Sequence, residues 1–383
     1  MIIITGATGN IGSKLTGLLL SQGQHVRIIG RNASKLQSFA DKGAETSAGD
    51  LKDTQFLAKA FSGGTAVFAM IPPHYMARDF RAYQNDTGAS IAAAIRDSGI
   101  KNVVNLSSQG GNLTDKTGPI KGLHDQEERL NKLDSVNILH VRPTYFMENL
   151  LANIPLIKNM NIAGSAIRGD QKFAMIATRD IAAFVAERLI KRDFTGKSVR
   201  DLLGQRDLSM DEAIAVIAKK INKPDLKYLQ FSYEDAEKGL MAAGLSEDVS
   251  RLFIEMSRAL NEGLFAVNVP RTDENTTATS IEEFADTFTK IYFSELVTEN
   301  SHPAGIMTDT ALKIMELFGK HARVETGTVL TYPELSNKAK SWGPQHFENL
   351  EAAMEELRGA GYAIITTPHG LELTELGYAY LFG

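Results

Sequence analysis

Through the first 150 residues, short apolar runs alternate with longer stretches whose apolar positions recur every three or four residues. The runs at 2–5, 25–29, 66–70, 102–106 and 137–141 read as strands, and the stretches at 9–22, 34–42, 54–61, 80–98 and about 125–133 read as helices. A further strand precedes Gly49. Consecutive apolar positions mark strands buried on both faces, and the helices between them supply the crossovers of a parallel sheet with right-handed connections. After Pro143 helical periodicity dominates, at 148–158, 180–191, 209–220, 233–243, 247–262 and 280–292, with Asp180 and Ser209 as N-caps.

A polar stretch at 298–305, carrying Pro303 and Gly305, reads as a seam. Beyond it come a helix at 308–318, an apolar Val329-Leu330, and a short helix opened by Thr331-Tyr332-Pro333-Glu334 at capping-box spacing. A longer helix at 345–359, a hairpin over 362–373 turning at Pro368-His369-Gly370, and a short helix at 375–382 complete the chain. This order is that of a winged helix-turn-helix.

Composition narrows the class. The 383 residues, 43% hydrophobic and 23% charged, suit a globular protein of two or three domains. A net charge of -5 gives no global attraction to nucleic acid or anionic lipid. The absence of cysteine removes disulfides, thiolate catalysis and Cys-based zinc sites, and fits a reducing compartment. The chain begins on a strand and a glycine turn, and no apolar run approaches the ~20 residues that span a bilayer. A cytoplasmic protein without a membrane partner is the expectation. With no HExxH motif and no paired His/acid spacing, no metal is expected either.

The strongest motif is Thr5-Gly6-Ala7-Thr8-Gly9-Asn10-Ile11-Gly12, between the first strand and the first helix. Gly6 permits a tight turn, Gly9 lets a pyrophosphate approach the backbone, and Gly12 allows close packing of helix on strand. The helix start offers free N–H groups and a positive dipole end. These are the marks of a Rossmann dinucleotide site. After the second strand, where NAD-selective folds carry an acid, this chain has Gly30-Arg31-Asn32, with Ser34 and Lys35 following. A guanidinium there suits a 2′-phosphate, so NADP(H) is expected in preference to NAD(H); a solvated loop arginine is the alternative. Asp50 suits either the adenine amino group or a helix cap. Ile71-Pro72 and Ser107-Ser108 follow the fourth and fifth strands and are expected to line the nicotinamide end.

These residues, with Thr117-Gly118-Pro119-Ile120-Lys121-Gly122-Leu123-His124, Val141-Arg142-Pro143-Thr144-Tyr145-Phe146-Met147-Glu148-Asn149 and Ile176-Ala177-Thr178-Arg179-Asp180-Ile181-Ala182, resemble the NmrA-like group of atypical short-chain dehydrogenase/reductases over about residues 1–295. The resemblance implies NADP(H) held by Gly6, Thr8, Gly9, Asn10, Ile11 and Gly12 around the pyrophosphate, with Arg31 and Lys35 toward the 2′-phosphate. It also implies either a quinone or dye reductase or a redox sensor that regulates partners.

Many short-chain reductases use a Ser, a Tyr and a Lys four residues after the Tyr. Ser107 or Ser108 suits the serine, but the Tyr-x-x-x-Lys pair is absent. His124-Asp125-Gln126-Glu127-Glu128 stands in its place, with His124 near the Tyr position and Glu128 near the Lys position. Reduction of a quinone yields an acidic hydroquinone and needs only a modest proton donor, which His124 can be. Otherwise the site binds without turnover and His124 is structural. Tyr145, Phe146, Met147 and Asn149 follow the sixth strand and read either as a wall for a flat apolar acceptor or as core.

Three segments result: a Rossmann domain at 1–150, a mostly helical substrate-covering region at 151–298, and a winged-helix-like α+β domain at 305–383. From Ser301 onward there are six Lys/Arg against ten Asp/Glu, which disfavours DNA and leaves self-association or a protein partner as the use of that domain. The leading reading is an NADPH-dependent reductase of a quinone or similar apolar acceptor; the alternative is an NADPH sensor whose output runs through 305–383.

Overall fold

The computed structural model describes residues 1–265, 269–298, 308–320, 327–359, 362–366 and 370–374. The chain forms two compact units, Met1–Thr289 and Lys290–Gly383. The first opens with β1 (Ile2–Thr5), α1 (Asn10–Ser21), β2 (Val26–Gly30), α2 (Ala33–Ala40), β3 (Glu45–Ala48), α3 (Thr54–Phe61), β4 (Ala66–Ala69), α4 (Phe80–Ser98), β5 (Asn102–Leu106), α5 (Lys121–Asn131) and β6 (Asn137–Pro143). It continues with β7 (Tyr145–Phe146), α6 (Ile154–Met160), β8 (Ile162–Ser165), β9 (Phe173–Ile176), α7 (Thr178–Lys191), β10 (Lys197–Leu202), β11 (Asp207–Leu208), α8 (Met210–Lys220), β12 (Lys227–Gln230), α9 (Tyr233–Ala242), α10 (Glu247–Asn261) and α11 (Ile281–Thr298).

Seven strands make one parallel sheet in the order β10-β6-β5-β4-β1-β2-β3. Alternate residues of each strand feed opposite cores, as the two-residue strand period demands. Ile2, Ile4, Val26, Ile28, Phe68, Val104, Leu139 and Val141 join Leu15 and Leu19 of α1 and Ile181 and Val185 of α7. Ile3, Ile29, Val67, Val103 and Ile138 join Leu57 and Phe61 of α3 and Ile91 and Ile95 of α4. The strand order reverses between β1 and β4, which opens a crevice beyond their carboxyl ends.

Several elements differ from the sequence expectation, each for a local reason. The sheet draws its outer strand β10 from beyond residue 150, so that boundary falls inside the sheet-bearing unit. The helix expected at 148–158 is a 3-10 segment, Met147–Asn153, followed by α6. Pro155 lacks the N–H that would carry one α-helix through. Helix α5 begins four residues earlier than expected, straight after a 3-10 turn at Gly118–Ile120. Asp180 is not the cap of α7, which starts at Thr178 after Ala177. Its carboxylate instead accepts from Thr279 N at 3.0 Å and Thr279 Oγ1 at 2.6 Å, tying in the segment before α11. Ser209 does cap α8, in a capping box with Glu212.

The second unit contains α12 (Asp309–Gly319), β13 (Val329–Thr331), α13 (Tyr332–Trp342), α14 (Pro344–Glu348), α15 (Leu350–Gly359), β14 (Ala363–Thr366) and β15 (Gly370–Leu373). The strands form an antiparallel sheet, β13-β15-β14, over a core that includes Leu335, Leu350, Leu357 and Leu371. The expected long helix at 345–359 is split at Asn349 into α14 and α15. Thr331 and Glu334 make the expected capping box. Of the turn expected at Pro368-His369-Gly370, Gly370 opens β15, while the other two residues and the helix expected at 375–382 lie outside the described residues. No described helix is long and apolar enough to cross a membrane.

Ser209 is buried, and its hydroxyl accepts from the Glu212 N–H at 3.1 Å while the Glu212 carboxylate accepts from the Ser209 N–H at 2.9 Å. Ser209→Ala is expected to lower unfolding free energy by about 1 kcal/mol, the usual loss for an N-cap, in a urea titration.

Candidate functional site

The crevice begins at the end of β1. Thr5 Oγ1 accepts from Met70 N at 2.8 Å and lies 3.2 and 3.1 Å from the Phe68 and Met70 carbonyls, locking the ends of β1 and β4 together. Gly6 then turns with φ of +67°, in the left-handed region that favours glycine. At Gly12 a Cβ would come 2.2 Å from the Gly6 carbonyl oxygen, so α1 can rest on this turn only without a side chain at that position. A Cβ at Gly9 would meet nothing nearer than 3.4 Å. The three glycines thus divide the work: conformation at Gly6, close packing at Gly12, open access at Gly9.

Helix α1 has Gly9 as its N-cap, with no side-chain cap and no acid in its first turn. Its leading N–H groups are therefore on offer at a positive dipole end. Thr8, Gly9 and Asn10 are exposed there, while the side chain of Ile11 and the whole of Gly12 are buried. Lys14 Nζ reaches the Asn10 carbonyl at 2.9 Å and Thr178 Oγ1 at 3.0 Å. Both oxygens of Glu148 accept from Thr178 N, at 3.1 and 3.0 Å, so Glu148 joins the starts of α1 and α7.

Arg31 follows β2 and is exposed, with no hydrogen-bond or ion-pair partner among the described residues. Asn32 caps α2, accepting from Ser34 N and Lys35 N at 2.9 and 3.3 Å, which sets exposed Lys35 one turn from Arg31. Asp50 accepts from Lys52 N at 2.9 Å in a turn, and the cap of α3 belongs to Asp53. The capping role left open for Asp50 is thus taken by its neighbour. Ile71 is buried, and Pro72 accepts from the Tyr83 hydroxyl at 3.0 Å.

Beyond β5 the chain brings Ser107, Ser108, Gly111 and His124 together. Gly111 N donates to the Ser108 carbonyl at 2.9 Å, and the Gly111 carbonyl lies 2.9 Å from His124 Nδ1. A carbonyl only accepts, so Nδ1 carries the hydrogen and Nε2 is the nitrogen left for other chemistry. Ser107 Oγ is buried with no partner among the described residues.

A polar groove of about 260 Å³ adjoins this loop, lined by His124, Glu127, Glu128, Asn131, Arg142 and Lys197 among others. Inside it Arg142 Nε and Nη2 donate to Glu127 Oε1 and Oε2 at 2.9 and 2.5 Å. His140 Nδ1 lies 3.1 Å from Asn105 Nδ2 and Nε2 lies 3.0 Å from Asn131 Oδ1. Burial pushes the His140 imidazole below its ordinary range, consistent with a neutral ring that accepts from one amide and donates to the other. Sequence reasoning passed over Glu127, Arg142 and His140, although charged and polar residues alternate with Leu139 and Val141 along β6.

The residues expected to wall an acceptor divide. Met147 is 1% exposed and sits in the core. Tyr145 packs edge-on to Phe173 with ring centres 5.4 Å apart, and burial raises its hydroxyl pKa. Phe146 packs partly against the sheet core, and Asn149 is exposed.

The family model described as NmrA-like family matches residues 1–285. An NAD(P)H azoreductase from Xenophilus azovorans is 26% identical over 256 residues, covering 67% of this chain and 86% of that protein. A (4-alkanoyl-5-oxo-2,5-dihydrofuran-3-yl)methyl phosphate reductase from Streptomyces griseus is 27% identical over 276 residues, covering 72% and 93%. Among solved structures, an NADPH-dependent quinone oxidoreductase from Escherichia coli, complexed with NADPH, has a TM-score of 0.64 at 21% identity, over 75% of this chain and 99% of its own. A triphenylmethane reductase from Citrobacter sp. follows at 0.61 and 21%, over 76% and 99%. At those identities the two structures speak for the fold.

Two glycines of α1 make opposed predictions. Gly12→Ala drives a Cβ into backbone and is expected to cost about 1–3 kcal/mol. Gly17, exposed in mid-helix, has nothing within 4 Å of an added Cβ. Gly17→Ala is expected to stabilise by about 0.5–1 kcal/mol. Urea unfolding of both variants against the parent checks the pair.

Proposed function

The chain belongs to the NmrA-like family, and we propose that it is an oxidoreductase that takes NADPH in preference to NADH and reduces a quinone or similar apolar acceptor. The observation that carries this reading is the uncapped, glycine-lined start of α1 together with exposed Arg31 directly after β2, the strand paired with β1. Gly6, Thr8, Gly9, Asn10, Ile11 and Gly12 would hold the pyrophosphate through backbone N–H groups, and Arg31 with Lys35 would hold the 2′-phosphate. Asp50 would face the adenosine half, and Ile71, Pro72 and Ser107 the nicotinamide half. The likeness to an azoreductase and to a (4-alkanoyl-5-oxo-2,5-dihydrofuran-3-yl)methyl phosphate reductase supports the class, since both are reductases. The sensor alternative draws no support from them.

When bound, NADPH supplies a hydride. A hydride, two electrons with one proton, added to a quinone leaves the hydroquinone monoanion, which takes one further proton to finish. His124 is assigned that proton. Its Nδ1–H is committed to the Gly111 carbonyl, so the imidazolium form donates from Nε2. Ser108 is assigned to hydrogen-bond the acceptor. Tyr145, Phe146 and Asn149 remain the proposed acceptor wall, with Met147 backing it from the core. The second unit is read as a winged-helix-like module for self-association or protein docking, its acidic balance being unsuited to DNA.

The test is NADPH oxidation by purified protein with a panel of quinones and azo dyes. His124→Ala is expected to lower kcat by about 10²-fold without weakening NADPH binding. Arg31→Ala is expected to reduce the preference for NADPH over NADH by about tenfold, the loss of one charge-assisted contact. NADPH bound tightly with no acceptor-dependent oxidation would overturn the enzyme reading, and an unchanged cofactor preference in Arg31→Ala would remove Arg31 from the site.

A further inference from the structure

Helix α5 is held to the sheet in a way the other crossovers are not. The positions of β6 that face it are Ile138, His140 and Arg142, and the buried residues of α5 are Gly122, Gln126, Glu127 and Leu130. Two polar rungs therefore stand where α3 and α4 send apolar side chains such as Leu57, Phe61, Ile91 and Ile95 into the core. One joins Asn131, His140 and Asn105; the other is the Glu127–Arg142 pair, whose side chains are 5% and 15% exposed. An ion pair so buried gains little net stability over an apolar pair of the same shape, because both charges give up water. Its value here is directional.

The carboxylate has a second neighbour. A Cβ placed on Gly111 would lie 2.6 Å from Glu127 Oε1 and 2.6 Å from Ser107 Oγ. The carboxylate and the serine hydroxyl, buried and unpartnered among the described residues, thus converge beside the Gly111 Cα. The same residue presents the carbonyl that accepts from His124 Nδ1.

We propose that Glu127, fixed in two directions by Arg142, is a positioning residue that seats Gly111 and thereby holds His124 in the Nδ1–H tautomer with Nε2 toward the acceptor. This rests on the assignment of proton donation to His124. Glu127 acts through the loop at Gly111. It sets where the Gly111 carbonyl lies, and the carbonyl sets which imidazole nitrogen is free. The absence of a side chain at Gly111 is what lets the carboxylate come this close.

The decisive experiment is a double-mutant cycle on NADPH oxidation with a quinone acceptor, reading kcat and both KM values. Glu127→Gln keeps the shape and removes the charge. Alone, it is expected to lower kcat by about tenfold, a coupling normal for residues in one network, with both KM values unchanged. In the His124→Ala background it is expected to lower kcat no further. An undiminished kcat in the single variant, or losses that multiply in the double, would overturn the proposal. If Glu127→Gln does not fold, Gly111→Ala takes its place, since its Cβ separates the carboxylate from the loop while leaving both charges present. The same non-additivity with His124→Ala is then required. Wild-type turnover in His124→Ala would instead sink the proton-donor assignment itself, and this inference with it, whereas a loss in His124→Ala combined with additivity sinks the inference alone.

Discussion

The contact between Gly12 and the Gly6 carbonyl governs the architecture around the crevice. A helix following a strand in a parallel sheet must turn back over it, and how closely it packs decides where its first N–H groups point. Here the approach is so close that a single methyl at position 12 would overlap backbone. The leading end of α1 is thereby placed at the strand ends, in the reversal between β1 and β4. Lys14, Thr178 and Glu148 extend the constraint into the later part of the unit, because α7 is anchored to the same turn of α1. A residue from the first helix, one from the last large helix of the sheet and one from the 3-10 segment between them meet at one point.

One corner of the sheet solves the packing problem differently from the rest. The face beneath α1 and α7 is filled with aliphatic side chains, whose attraction is strong and weakly directional. On the opposite face α3 and α4 do the same, but beneath α5 hydrogen bonds with fixed angles take the place of part of that packing. A helix seated on Leu and Val can slide by fractions of an ångström at little cost, whereas one seated on a bidentate Arg–Glu pair and an amide–imidazole–amide chain has few alternative positions. Placing the rigid solution under the helix that carries His124 puts geometric precision beneath the residue proposed above as proton donor. Lys197 completes this side by donating to the Leu133 and Val136 carbonyls, at 2.7 Å each, closing the turn between α5 and β6.

What was legible in the sequence follows from the range of the interactions involved. The glycine cradle is local, so its spacing announces it. Helices α3 and α4 were read with their observed limits because each starts on an aspartate whose side chain caps it, Asp53 and Asp79, and α4 stops at Gly99 in the left-handed conformation. Strand β3, polar and mostly exposed, is still marked by its place before Gly49, whereas β10, Lys-Ser-Val-Arg-Asp-Leu, has no apolar run. It exists because a neighbouring strand offers hydrogen bonds, which a window along the chain does not register. The Glu127–Arg142 pair was hidden for the same reason: its partners are brought together by a helix folding onto a strand. The alternation of His140 and Arg142 with Leu139 and Val141 was the available signal, marking a strand polar on one face.

Strand β10 also bears on how the molecule is made. It pairs with β6 along its whole length, Lys197 against Ile138 through Leu202 against Pro143, yet β7, α6, β8, β9 and α7 lie between them in the chain. During synthesis, β6 must wait with one row of its N–H and C=O groups unsatisfied while that intervening chain emerges. An open strand of this kind is a template for pairing with other molecules. Pairing across such a separation is also among the slower events in folding. β10 is polar and β6 carries the charged Arg142; a more apolar edge at this late-pairing position would leave the nascent sheet more exposed to aggregation.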